Sequence, residues 1–189
     1  LSKAVPPSRY FVFFTLAIGI CAADLVSKSW AFARLGMPGP DAQIYWLWEG
    51  VFGFQTSLNE GALFGFGQGF SLLFAALATG ALAAILIWLF AAGAAGDWLL
   101  TVALSFITAG ILGNLYDRLG FPGLVWPEGS FGHRAGEPVY AVRDFILMRF
   151  RDWSWPNYNL ADSALVCGAA LLLWHALFTK PPEKTSEKD

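Results

Sequence analysis

Charge is what this sequence has least of. Only 14% of its 189 residues are Asp, Glu, Lys or Arg, where a soluble domain carries about 25%. The net charge of −2 leaves no broad basic surface, which removes nucleic acid from the expected partners. Cysteine is also scarce. Cys21 and Cys167 both fall inside apolar runs, so they read as small packing residues rather than a redox pair. The histidines, His133 and His175, lie far apart with no ligand-like neighbours, and nothing has metal-ligand spacing. What is abundant is apolar: 56% hydrophobic and 16% aromatic residues, with a mean hydropathy of +0.52. These totals imply one compact membrane-embedded unit.

The apolar runs give the layout. Residues 1–9 form a short polar tail with Lys3 and Arg9, followed by an apolar run from Tyr10 that continues past Asp24. A cleaved signal peptide would begin in the same way, but no small-x-small site stands clear, so a retained first span over 10–32 is expected. Residues 61–96 carry no charge, and 70–92 is long enough to cross a hydrocarbon core of about 30 Å. Gly93–Gly96 reads as a tight turn into a third span over 98–116, and a fourth covers 159–178. The expected fold class is therefore an all-α membrane protein of four transmembrane helices. Residues 1–180 form a single domain and 181–189 a charged tail. Between the spans, 35–68 suits either short strands or an interfacial helix, completing a small outer subdomain. Residues 119–141, rich in Gly and Pro, read as an exposed loop, and Val142–Arg151 as an interfacial segment.

Four spans place both termini on one side. The distribution of basic residues does not fix which side, because Lys3, Arg9, Lys180, Lys184 and Lys188 are matched by those from Lys28 to Arg151. The tryptophans form two belts: Trp88, Trp98 and Trp174 at one face, and Trp30, Trp46, Trp48, Trp126, Trp153 and Trp155 towards the other.

Against this apolar background the polar clusters stand out, nearly all on the second face. Asp24 and Lys28 share a helix face, either as an ion pair easing two charges at the boundary or as anchors of a polar site. Asn59-Glu60-Gly61 ends the first outer segment, either as a capped turn or as a close backbone approach with Asn59 free to donate. Asn114, Asp117 and Arg118 close the third span, after Gly110 and Gly113, which allow a neighbouring backbone to come close. Asp162 follows Asn159 at the start of the fourth span, where an acid is also favoured by the helix dipole. Asp144 and Asp162 are the candidate pair: two carboxylates brought together share a proton and activate water.

In these stretches the chain resembles the bacterial lipoprotein signal peptidase family, also called signal peptidase II. The matching motifs are Asp24-Leu25-Val26-Ser27-Lys28, Asn59-Glu60-Gly61-Ala62-Leu63-Phe64, Gly113-Asn114-Leu115-Tyr116-Asp117-Arg118, Val142-Arg143-Asp144-Phe145 and Asn159-Leu160-Ala161-Asp162. The resemblance implies an aspartic endopeptidase of the cytoplasmic membrane. It would remove signal peptides from diacylglyceryl-modified prolipoproteins, cutting before the lipidated cysteine, with no cofactor or metal. It assigns Asp144 and Asp162 as the catalytic pair, supported by Asp24, Lys28, Asn59, Gly61, Asn114, Arg118 and Asn159. It places the site towards the outer face and the termini in the cytoplasm. The other expected partner is membrane lipid, and a monomer is expected. Two departures stand against the family pattern. The link 119–143 between Arg118 and Asp144 is longer than usual, leaving Asp117 as an alternative first aspartate. Arg143 also replaces an apolar residue, and would either act on Asp144 or point away.

A different class, a proton-coupled transporter, would also bury acids in a four-helix bundle. It would need them near mid-membrane, whereas these sit at span ends. A non-catalytic assembly factor leaves the paired acids unexplained.

Overall fold

A computed structural model describes residues 4–39, 42–61 and 67–178. The tail expected over 181–189, and Ala62, Leu63 and Phe64 of the second motif, lie outside them. The chain runs α1 (Pro7–Leu35), β1 (Tyr45–Trp48), β2 (Phe52–Asn59), α2 (Ser71–Leu86), α3 (Trp98–Arg118), β3 (Val142–Phe150), β4 (Trp153–Ser154) and α4 (Leu160–Phe178). A π-helical turn, Ile87–Ala91, prolongs α2. With that turn included, all four helices are long and apolar enough to cross a membrane.

Local chemistry sets several of the helix ends. Pro7 occupies the first turn of α1, where its missing N–H costs nothing. Gly36 closes that helix with a positive φ of 79°, its N–H reaching the carbonyl of Phe32. Asp97 caps α3 by accepting the N–H of Leu100 at 2.9 Å. Its other oxygen meets His175 Nε2 at 2.8 Å, which ties the end of α4 to the start of α3. At the same end Phe13, Leu89, Ala95, Leu100 and Leu104 form an apolar cluster.

The centre of the bundle is α3. In its most apolar stretch 56% of residues are buried, against 17%, 11% and 17% for α1, α2 and α4. Small residues on both helices let α4 close against it. A Cβ on Gly110 would strike the Ala161 carbonyl and lie 2.6 Å from Leu165 Cγ, and one on Gly168 would lie 2.6 Å from Ile107 Cγ1. The outer faces keep large apolar side chains exposed, among them Ile18, Val26, Leu72, Leu77, Val166 and Leu177. That surface suits hydrocarbon and not water.

The strands build one antiparallel sheet in the order β1-β2-β3-β4. The interfacial segment expected over Val142–Arg151 is instead β3, paired with β2 from Phe52↔Met148 to Asn59↔Val142. Its period-2 signature is invisible because Val142–Leu147 is buried on both faces. Phe145 and Ile146 join Ala31 of α1 in an apolar cluster. Beyond β4 the chain returns along β3, Tyr158 exchanging backbone hydrogen bonds with Ile146 at 2.8 and 3.2 Å. That return delivers the start of α4 beside the middle of β3. The segment 119–141 is an ordered hairpin: Trp126 N–H donates to Glu137 O, Gly136 N–H to Trp126 O and Val139 N–H to Leu124 O.

Candidate active site

The start of α4 organises the site. Asn159 is the N-cap residue, and its Oδ1 accepts the N–H of Asp162 at 2.9 Å. Asp162 returns the bond, its Oδ2 accepting the N–H of Asn159 at 3.2 Å. This reciprocal box satisfies two helix-start donors and fixes the Asp162 carboxylate. The Asn159 amide nitrogen points the other way, donating to Asp144 Oδ1 on β3 at 2.6 Å. One fully buried asparagine thus bridges the two acids.

Asn114 of α3 is oriented from behind. Lys28 has no acceptor, so its Nζ, 2.9 Å away, must face the Asn114 carbonyl oxygen. The amide nitrogen is then turned outwards, donating to Asp162 Oδ1 at 2.8 Å. Lys28 is itself fully buried and contacts Asp24 Oδ2 at 2.8 Å and Asp117 Oδ2 at 3.1 Å. Asp117 also receives Arg143, through its backbone N–H at 3.0 Å, Nε at 2.9 Å and Nη2 at 2.9 Å. Asp24 Oδ1 accepts the N–H of Ala161, so α1 caps a donor of α4. Two cations and two anions make a neutral frame joining α1, α3, α4 and β3.

Arg143 and Asp144 are consecutive on a strand, so they point to opposite faces. Arg143 therefore turns away from Asp144 and into the frame. Asp144 is only 2% exposed. Burial pushes its carboxyl up to about 8, and the neighbouring Asp162 charge adds to this, against hydrogen bonds from Asn159 and Asn59 and the field of Lys28.

Both acids line a cavity of about 990 Å³. Asn59, Asn114 and Arg118 share its polar end, while Ala78, Ile111, Leu165 and Ala169 give it an apolar flank between α2, α3 and α4. Asn59 Oδ1 accepts the Gly61 N–H at 3.0 Å, leaving its amide nitrogen for Asp144. Arg118 donates to the Gly61 carbonyl at 3.0 Å and lies over the Phe74 ring at 5.6 Å. Among the described residues its buried Nε has no hydrogen-bond partner.

The sequence profile described as "Signal peptidase (SPase) II" matches residues 16–178. The chain belongs to the signal peptidase II family. It is 49% identical over 176 residues to the lipoprotein signal peptidase of Rhodopirellula baltica, covering 90% of this chain and 73% of that one. The lipoprotein signal peptidase of Teredinibacter turnerae is 30% identical over 168 residues, with 87% and 86% covered. Two solved bacterial membrane enzymes share the fold. The structure at 2.3 Å has a TM-score of 0.70 at 22% identity over 100% of this chain and 98% of its own. The structure at 1.9 Å has a TM-score of 0.68 at 23% identity over 95% and 99%. As a signal peptidase II family member the chain is a peptidase and a multi-pass membrane protein.

In this signal peptidase II chain the site residues expected from the sequence converge on one end of the bundle, in two tiers. Asp144, Asp162, Asn59, Asn114 and Arg118 reach the cavity. Asp24 and Lys28 lie behind it, Asn159 bridges the acids, and Gly61 contributes backbone groups. Sequence reasoning missed the coupling of Asp117 to Arg143 and the contact of His133 with Glu60 at 3.2 Å. Both join residues far apart in the chain, so no local spacing announces them.

Proposed function

We infer that the protein is a membrane aspartic endopeptidase that removes signal peptides from diacylglyceryl-modified prolipoproteins, cutting before the lipidated cysteine. The observation that carries this reading is the Asn159 bridge between Asp144 and Asp162 at the head of a cavity with one apolar flank. A signal peptide spans with its basic start inside, so its cleavage site emerges near the outer interface. Both termini then lie in the cytoplasm and the cavity faces outwards. The apolar flank suits the lipid chains on the cysteine.

With the carboxyl of Asp144 raised to about 8, that residue carries the pair's proton at neutral pH. Asp162 is the ionised member and takes a proton from water as the water oxygen bonds to the scissile carbonyl carbon. Asp144 gives its proton to the carbonyl oxygen, forming a neutral gem-diol. On collapse the C–N bond breaks, Asp162 passes its proton to the departing nitrogen, and a diol hydroxyl returns a proton to Asp144. Carboxylic acid and amine leave, the starting protonation is restored, and no covalent intermediate forms. The Asn59 amide is placed to donate to the developing diol oxygens. Arg118 is the candidate for a substrate carbonyl or the lipid ester region.

The test is incubation of the purified protein with a diacylglyceryl-modified prolipoprotein and with its unlipidated form, followed by mass analysis. The expected result is cleavage before the modified cysteine in the first alone. Intact lipidated substrate would overturn the reading.

A further inference from the structure

The hairpin 119–141 occupies a place that the peptidase mechanism does not use. It leaves α3 directly after Arg118 and re-enters the sheet at Val142, the residue that pairs with Asn59. Both of its roots therefore adjoin residues that line the cavity.

Its far end turns back to Glu60, next to the cavity-lining Asn59. The His133 ring stacks on Trp126 with centroids 3.9 Å apart and planes 5° from parallel. His133 Nε2 lies 3.2 Å from Glu60 Oε2, and Nδ1 lies 3.7 Å from Glu137 Oε2. Glu137 is itself held by the N–H of Arg134 at 3.1 Å. Both ring nitrogens thus face carboxylate oxygens, and the His133 side chain is only 18% exposed. Glu60 stands between Asn59, whose Oδ1 accepts the Gly61 N–H, and Gly61, whose carbonyl accepts Arg118. A shift of the Glu60 backbone moves both contacts.

We propose that the hairpin is a positioning element for the peptidase site, acting through His133, whose contact with Glu60 holds the Asn59–Gly61 turn against Asp144 and Arg118. His133 touches no reacting atom. It is a positioning residue, and its role rests on the peptidase reading given above. An insertion that merely capped the surface would have no need to anchor on the residue between two site groups.

The experiment uses the full chain in detergent with a lipidated prolipoprotein, and compares His133→Ala, Glu60→Gln and the double variant. Each single change is expected to lower kcat about tenfold, the size of one lost charge-assisted hydrogen bond, with KM within about twofold. The double variant is expected to be no slower than either single one. His133→Gln, which keeps an N–H donor, should recover most of the rate. Phe131→Ser, at a fully exposed position of the hairpin tip, should match the parent. Amide hydrogen exchange over residues 58–61 should rise in His133→Ala and not in Phe131→Ser. That readout needs no substrate, so it tests the latch even if the peptidase reading fails. Unchanged kcat in His133→Ala, multiplicative losses in the double variant, or unchanged exchange over 58–61 would each overturn the proposal. If His133→Ala fails to accumulate in the membrane, His133→Gln and Glu60→Gln decide it: rates and exchange equal to the parent in both refute the latch, and a loss in Glu60→Gln that exceeds His133→Gln supports it.

Discussion

Asp117 and Asp144 make an instructive pair. They are 1% and 2% exposed, on adjacent elements, and both carry acids that water barely reaches. Asp117 is saturated by two cations: Lys28, and Arg143 through side chain and backbone. Asp144 receives neutral amide groups and faces a second carboxylate. The first arrangement holds its acid in a charge-balanced structural frame. The second sets two acids side by side at the head of a cavity. Burial alone does not mark an acid for chemistry; the charge of what it is buried against does.

The sharpest way to break this contrast is Asp144→Asn or Asp162→Asn. Asn keeps the shape but takes no proton, so cleavage should fall by about 10⁴ or more while thermal unfolding stays near that of the parent. The double variant should be little worse than either single one. Near-normal cleavage by Asp144→Asn would remove it from the pair.

Asp117→Asn tests the other side. It takes the carboxylate from Arg143 and leaves Lys28 with Asp24, and breaking a buried pair costs about 3–5 kcal/mol. The loss should appear first as a lower unfolding temperature in detergent, with cleavage reduced less than in Asp144→Asn. Abolished cleavage with undiminished stability would exchange the roles assigned to the two acids.

A further expected effect is one of pH. The folded carboxyl of Asp144, at about 8, stands above its ordinary value of 3.8. The folded state therefore binds this proton more tightly than the unfolded state does. Its contribution to stability is complete below about pH 4 and is lost as pH rises to about 8. Asp144→Asn has no such proton to lose, so its unfolding temperature should gain on the parent across that window and level off above it. Cleavage by the parent should fall as pH rises through about 8. A constant difference in unfolding temperature from pH 4 to 8 would show that Asp144 is not held protonated.

The sequence made the polar residues of this site legible because each interrupts an apolar stretch, where a charge or amide is conspicuous. Their division of labour was not legible. Whether Arg143 served Asp144 or turned away depended on β3 being a strand, and both faces of that strand are buried, so no alternation betrays it. The engagement of Asp117 depended on Lys28, brought in from the first helix. The hairpin hid for a related reason: Gly- and Pro-rich segments read as loops even when backbone pairing and one histidine give them a fixed shape.

The bond from Asp24 to the Ala161 N–H has a consequence for how the molecule comes into being. Chains are made from the N-terminus onward. The acid that steadies the start of the last span is therefore in place from the first, waiting on a partner that is synthesised near the end. Until α4 arrives, Asp24 lacks that contact, Asn114 has no Asp162 to face, and Asp144 has no Asn159. A growing chain that has inserted three spans holds Asp24, Lys28 and Asp117 of the frame and neither acid of the pair. Docking of the final helix is the event that brings Asp162 to Asn114 and Asn159 to Asp144, so the bundle and the candidate site are completed in one step.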